Sequence, residues 1–570
     1  MSYQLLGVLG ILIIVAVATL APRIGVATPL LLVLIGTAGS LIPGVPQFHV
    51  PPEIILTAVL PPILYAAAVN VPLVDLRRNM KAITGLSVLL VLVSALVSGA
   101  LFHALLPELS IPAAIAIGAV ISPTDAVAAT SIAKRLGLPS RLVTVLEGES
   151  LANDASALVL LRSAVAATAG ALTLVEVIGD FAYAVAAALV IGFLVGHATV
   201  WVRSRLNNAV LNTSISFAVP FLAFIPAEEI QASGVLAVVV AGLVTGHRSA
   251  KLFSAQDRIS ERINWRTVQF ILENGVFLLI GFELKYLVDQ VQDDHFSVTR
   301  AIQLGLLATV LLLAVRIAFI VPLIGLIRRD ERRTPKSRKH IGTPQPPQAE
   351  APIGPKAQQD RRKNQLSRVR KQADLDFRAT EQLGWRGGAV LAWSGMRGVV
   401  TLAAAQSLPA GIPYRPQLIF IAFTVAIASL LLQGGTLPAV IRKLGIAASK
   451  TAADRTELAI LVAEINAVGL ATLDNPLLTQ ENGDAFSRTV IDRVRAEGTK
   501  RNESISELPN PSTAGPHAQH RSLRLRVLEA ERAALLDARA TGSYSSRVLE
   551  RAQHLLDLEE FHLNAEDGGI

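Results

Sequence analysis

Two neighbouring stretches hold the side chains best suited to chemistry. ISPTDAVAATSIA contains Thr124 and Asp125, and LEGESLANDASALVLL contains Glu149, Ser150, Asn153 and Asp154. Both lie inside hydrophobic runs long enough to cross a bilayer. A carboxylate at membrane depth costs roughly 2.5–3.5 kcal/mol even on the mildest insertion scale, so acids kept on two consecutive membrane segments imply a use. Carboxylate, hydroxyl and carbonyl oxygens are the ligands of small hard cations, and a carboxylate also accepts a proton. The residue types therefore imply a site at which a small cation and a proton compete for the same oxygens.

Spacing assigns the faces. Ser150 and Asp154 share one face of a helix, which presents a carboxylate and a hydroxyl to a cavity. Glu149 and Asn153 share another face, about 100° round, which turns towards neighbouring structure. Pro123 interrupts the preceding segment just before Thr124 and Asp125. Proline in a helix removes a hydrogen bond and crowds the previous turn, and freed backbone at membrane depth is tolerated where it lines protein or a cavity. Transporters use such interruptions to aim carbonyls and helix ends at an ion. A buried Glu149 needs a partner. The expected one is Arg397, in WSGMRGVVTLAAA between Gly395 and Gly398, giving a structural ion pair between two core helices. Arg316, deep in another segment, receives no role from the sequence. Glu273 is a candidate for attracting cations.

The elements that position these residues follow from composition. The chain has 570 residues, 52% hydrophobic and 17% charged, with mean hydropathy +0.49, the profile of a polytopic membrane protein. Cysteine is absent, which excludes disulfides, thiolate metal sites and cysteine nucleophiles. About thirteen spans emerge at roughly 20 apolar residues per crossing, near 4–21, 27–42, 54–70, 82–106, 111–133, 143–166, 174–201, 209–225, 231–246, 268–285, 301–327, 388–408 and 417–440. No Lys or Arg precedes Arg23, so the first run lacks the basic region of a secretory signal and reads as a retained helix.

A pI near 9.8 raises nucleic acid as a partner, but the basic residues gather in alternate loops. Arg77, Arg78 and Lys81, then Lys134, Arg135 and Arg141, then Arg203 and Arg205 alternate with loops carrying Glu53, Glu108 and Glu176. The positive-inside rule makes the basic face cytoplasmic, with the N-terminus outside and the C-terminal tail inside. Residues 328–387 form a basic, Pro-rich cytoplasmic loop, in which DRRKNQLSRVRKQADLDFRATEQ reads as a solvated linker or a basic helix against anionic membrane lipid. Residues 446–570 read as a cytoplasmic helical tail.

GAVISPTDAVA, LEGESLANDASALVL, WSGMRGVVTLAAAQSLP and FTVAIASLLLQGGTLPAVI together resemble the monovalent cation:proton antiporters of the NhaP and sodium/proton exchanger branch, over about residues 1–445. The resemblance implies an all-α membrane protein in which spans 4–6 and 11–13 form inverted repeats, with spans 5 and 12 broken and crossing. The remaining spans would form a dimerisation scaffold, giving a homodimer in the plasma membrane. It further implies that Asp154 binds cation and proton, that Asp125 and Thr124 lie beside it, and that Ser150 adds an oxygen. Asn153 would brace the site, and the pair Glu149 and Arg397 would be structural. In span 3, YAAAVN places alanine where relatives often carry an acid, so no further acid is expected there. The implied activity is exchange of a monovalent cation, Na⁺ first and K⁺ as the alternative, for H⁺, without an enzyme's chemistry or a cofactor. Asn153 is a neutral amide that carries no proton at physiological pH, which favours electroneutral one-for-one exchange. An intramembrane aspartyl protease lacks its Gly-x-Gly-Asp context here, and a channel lacks the TVGYG filter. No Walker motif suggests primary pumping.

Overall fold

The computed structural model describes residues 3–24, 26–43, 51–170, 174–206, 208–293, 297–341, 377 and 383–446, and in the C-terminal part 460–461, 463, 465–474, 484, 486–496, 516–541, 552–553, 555–560 and 563. Every regular element among the described residues is helical. In chain order these are α1 (Tyr3–Ile24), α2 (Thr28–Ser40), α3 (Ile54–Asn70), α4 (Leu73–Arg78), α5 (Met80–Leu105), α6 (Ile111–Ile121), α7 (Ala126–Arg135), α8 (Ser140–Ala169), α9 (Leu174–Arg203), α10 (Ala209–Glu229), α11 (Gly234–Leu252), α12 (Ala255–Asp293), α13 (Val298–Ile341), α14 (Trp385–Trp393), α15 (Val399–Gln406), α16 (Arg415–Leu444) and α17 (Pro516–Thr541). Much of the expected basic loop lies outside the described residues. Its first part is helical, because α13 runs on past the apolar stretch to Ile341.

Among the described residues, six helices, α5, α9, α10, α12, α13 and α16, contain stretches long and apolar enough to cross a membrane, and α1, α2, α3, α6 and α11 contain shorter apolar stretches. The expected span at 143–166 is a single long helix, α8, yet it fails a plain hydropathy criterion because Glu147, Glu149, Asp154 and Arg162 interrupt it. The expected spans at 111–133 and 388–408 are each two helices, α6/α7 and α14/α15, separated by short non-helical stretches.

Local chemistry places the ends. Ser110 precedes α6 and accepts the Ala113 N–H at 3.4 Å, with Pro112 in the first turn, the usual polar cap and preset φ. Asn208 accepts from Val210 and Leu211 at the start of α10. Gly36 of α2 faces Gly281 of α12, and a Cβ on Gly36 would stand 2.3 Å from the Leu278 carbonyl oxygen. Only glycine permits backbones that close.

The chain divides into two compact units, Met1–Ala448 and Ser449–Ile570. In the first, one apolar cluster joins α2, α5, α6, α12, α13, α14, α15 and α16. A second joins α3, α9, α10 and α11 with Trp265 of α12. Inside the second cluster Arg203 is fully buried, ion-pairs with Glu261 at 2.9 Å and lies 4.4 Å from the Phe253 ring. Its Nε donates to Asn212 Oδ1 at 2.5 Å, and Trp265 Nε1 donates to Ser216 Oγ at 3.0 Å. One polar knot thus ties together α9, α10 and α12, where apolar contact alone leaves sliding open. Phe377, from the basic loop, lies under Arg78 at 4.7 Å and Arg141 at 5.9 Å. In the second unit α17 is joined to residues 557–560 by ion pairs of Arg524 with Glu559 and Arg532 with Asp557.

Candidate functional site

The site is assembled where the two interrupted helices meet. α6 stops at Ile121, and Ser122 Oγ returns a hydrogen bond to the Ala119 carbonyl at 2.9 Å. Pro123, Thr124 and Asp125 have no regular structure before α7 begins. On the other side, α14 ends at Trp393 and α15 starts at Val399. The Asp125 N–H donates to the Met396 carbonyl at 2.7 Å, a main-chain bond directly between the two breaks. Gly398 lies under the Asp125 side chain. A Cβ there would stand 2.0 Å from Asp125 Oδ2, so a larger residue would displace the carboxylate.

α8 supplies the third wall. Thr124 Oγ1 donates to Glu149 Oε1 at 2.8 Å. Asn153 Nδ2 donates to both the carbonyl and the hydroxyl oxygen of Thr124, each at 3.0 Å. The Thr124 hydroxyl is thereby engaged as donor and acceptor at once, which leaves its orientation no freedom. Asn153 Oδ1 is buried without a hydrogen-bond partner among the described residues. Asp154 is buried one position on, with Asp125 as its charged neighbour. Ser150, half-buried, lies one turn earlier on the same face as Asp154. The structure therefore brings Thr124, Asp125, Glu149, Ser150, Asn153 and Asp154 to one place.

The expected pairing of Glu149 with Arg397 is corrected. Glu149 is held by Arg316, whose Nη1 and Nη2 reach Glu149 Oε1 and Oε2 at 2.5 and 2.9 Å. Arg316 Nε also donates to the Leu391 carbonyl at 3.0 Å, and its chain packs over Gly395, where a Cβ would come within 2.6 Å of Arg316 Cδ. Arg397 turns instead to main-chain acceptors. It donates from Nε to the Ile121 carbonyl at 3.1 Å and from Nη1 to the Gly395 carbonyl, while its own N–H is bound by Ser429 Oγ at 3.0 Å. The reason is geometric. Arg316 stands on the continuous helix α13 and can offer both guanidinium nitrogens broadside to Glu149. Arg397 sits in the break, where unpaired carbonyls at the helix ends compete for it. Both arginines remain electrostatic neighbours of Glu149. Sequence reasoning passed over Arg316. The signal was present, because it is the only basic residue within an otherwise apolar run from 301 to 327, and a buried arginine demands a carboxylate.

On α12, Glu273 is half-buried, accepts from Gln269 Nε2 at 2.7 Å, and has Asp125 within electrostatic reach. Further along the same helix, buried Glu283 accepts from Gln406 Nε2 at 2.8 Å.

A family model described as "Sodium/hydrogen exchanger, transmembrane" matches residues 10–443. An uncharacterised Na⁺/H⁺ exchanger of Mycobacterium tuberculosis is 29% identical over 98% of this chain and 96% of its own length. A sodium, potassium, lithium and rubidium/H⁺ antiporter of Bacillus pumilus is 27% identical over 76% of this chain and 60% of its own. The fold matches that of the sodium proton antiporter MjNhaP1 from Methanocaldococcus jannaschii with a TM-score of 0.55 and 17% identity, over 77% of this chain and 97% of that one.

Proposed function

The chain belongs to the transmembrane sodium/hydrogen exchanger family, and from that membership and the geometry above we propose that it exchanges a monovalent cation, Na⁺ first, for H⁺ across the plasma membrane. The observation that carries the reading is Asp154, a buried carboxylate beside Asp125, next to a Thr124 whose hydroxyl and carbonyl are fixed by Glu149 and Asn153. Asp154 takes either the proton or the cation. Asp125 and Ser150 add oxygens of the hard type that small cations choose, and Thr124 and Asn153 hold the backbone of the break in place. The broken helices bring their ends to the site, and the four helical ends supply dipoles of both signs. Glu149 with Arg316 and Arg397 is structural. Residues 1–445 are the transport unit, and within it spans 4–6 and 11–13 form the inverted repeats of the core. Thirteen spans place the N-terminus outside and the tail in the cytoplasm. The working form is a dimer that serves pH and sodium homeostasis.

Exchange is electroneutral in this reading, because Asp154 alone alternates between proton and cation while Asn153 stays neutral. K⁺ is the alternative cation, favoured by the broad cation range in the name of the Bacillus pumilus relative. The test is purified protein in liposomes carrying a pH-sensitive dye. An imposed Na⁺ gradient should drive proton movement in the wild type and not in Asp154→Asn. Exchange by Asp154→Asn at the wild-type rate would overturn the assignment. A larger response to K⁺ than to Na⁺ would settle the cation the other way.

A further inference from the structure

The most telling contact outside the site joins two buried side chains on opposite parts of the transport unit. Gln406 ends α15, the second half of the interrupted helix that helps form the site, and is 3% exposed. Glu283 belongs to α12 and is 1% exposed. Gln406 Nε2 donates to Glu283 Oε2 at 2.8 Å. We propose that Glu283 and Gln406 are a latch that closes the transport pathway on the face away from the basic loops, and that its release is a step of exchange; this rests on the function proposed above.

Position supports it. α12 is locked to α2 through the backbone contact of Gly36 and Gly281, two residues before Glu283, so Glu283 stands on a part of the framework that has no slack. α15 starts at Val399, directly after Gly398 under Asp125, and leads away from the site to Gln406. Ten residues separate Glu283 from Glu273, about 15 Å along the helix. Glu273 lies towards the basic end of α12, which carries Arg258, Arg262 and Arg266, and Glu283 towards the other. A path between α12 and α15 on that far face cannot open without lengthening the Glu283–Gln406 bond.

Chemistry supports it as well. The end of α15 is itself immobilised, since Arg415 donates to the carbonyls of Gln406 and Leu408, each at 2.7 Å. The Gln406 side chain then links that end to α12. Its donor is a neutral amide. A buried arginine at this place would make separation very costly, as it does for Glu149 and Arg316, whereas an amide–carboxylate bond has a modest net worth and suits a contact made and broken in every cycle. Gln406 Oε1 has no hydrogen-bond partner among the described residues, so only one arm of the amide is engaged.

The experiment measures the apparent Na⁺ affinity separately at each face in liposomes holding protein of one orientation. A latch sets the population facing each way, and the apparent constant at a face is the intrinsic constant divided by the fraction facing it. Gln406→Leu keeps bulk and removes the donor. It should strengthen apparent affinity on the face away from the basic loops and weaken it on the loop face, changing the ratio of the two roughly threefold to tenfold, the scale of one net hydrogen bond. Gln406→Met, of similar length and without a donor, should move the ratio in the same direction and serves if the leucine variant does not fold. Glu283→Gln keeps a hydrogen-bonding partner and should stay near the wild-type ratio. An unchanged ratio in either Gln406 variant that folds, or a fall in maximal rate with both affinities unaltered, overturns the latch. A wild type without Na⁺-driven proton movement would instead overturn the function on which the latch rests.

Discussion

Removing the carboxylate of Glu149 should cost stability far more than ion affinity. Glu149 is 2% exposed, Arg316 1% and Arg397 3%, so none of the three has water to fall back on. Glu149 accepts two bonds from Arg316 and one from Thr124. Glu149→Ala strands a guanidinium, with a second guanidinium as its electrostatic neighbour. Breaking a buried pair from one side costs roughly 3–5 kcal/mol, and two like charges in the emptied space place the expectation at the upper end. At about 2.1 cal/mol/K of unfolding entropy per residue, the unit Met1–Ala448 loses about 5 °C of Tm for about 5 kcal/mol. A fluorescence melt of purified protein in detergent reads this directly, with Na⁺ affinity measured on the same samples. Arg316→Met should lower Tm more than Arg397→Met, because only Arg316 has the two-pronged bond to Glu149. The double variant Glu149→Leu with Arg316→Met should recover much of the loss, since apolar replacement of a whole buried pair is often neutral. A Glu149→Ala shift below about 1 °C, on the same entropy scale, or an Arg397 variant worse than the Arg316 variant, would refute this reasoning.

Other expectations follow from the same structure. Voltage clamped across proteoliposomes should leave the equilibrium Na⁺ gradient unchanged, and a gradient that follows the imposed potential would point to Asp125 as a second proton carrier. Glu261→Gln should weaken the grip on Arg203 and lower stability by roughly 1–3 kcal/mol in a denaturation series, with the KM for Na⁺ as in the wild type. In the second unit, the hydrogen bonds from Arg524 hold Glu559 below the usual carboxylate range. A depressed folded value contributes stability in full above the unfolded pKa of about 4.3 and loses it as pH falls through the lower folded value. Protection of α17 in pulse-labelled hydrogen exchange, normalised to the intrinsic rate, should therefore persist to about pH 4.3 and decline below it in the full chain, and Glu559→Gln should remove that dependence.

The first interruption was legible because proline acts locally, whereas the second entered only through the family resemblance. Pro123 removes a helical hydrogen bond and crowds the preceding turn, and the run from Ser394 to Gly398 interrupts its partner. The sharing of faces on α8 followed from helical spacing, and Asn153 and Glu149 indeed turn to the same neighbour, Thr124. The partner of Glu149 was not legible, because sequence gives depth and not azimuth. Both Arg316 and Arg397 sit at membrane depth, and the flanking glycines drew attention to Arg397. Gly395 does permit a close approach, but the residue that uses it is Arg316. The bond between Gln406 and Glu283 joins residues 123 positions apart and left no periodic trace. α13 outran its expected end for a different reason: hydropathy marks where a helix leaves the bilayer, whereas the backbone of basic residues such as Arg328 and Arg329 is content to stay helical in water.

The bond from the Asp125 N–H to the Met396 carbonyl bears on how such a molecule diversifies. It is made by atoms that every residue except proline possesses, so the alignment of the two breaks is inherited independently of most side chains nearby. Charge and hydroxyl count around the crossing can then be changed by substitution while the main-chain bond between the breaks is kept. Preference for one alkali ion over another becomes a trait open to small steps rather than to refolding. Gly398 is the exception to that freedom, because a Cβ there would push the Asp125 carboxylate from its place.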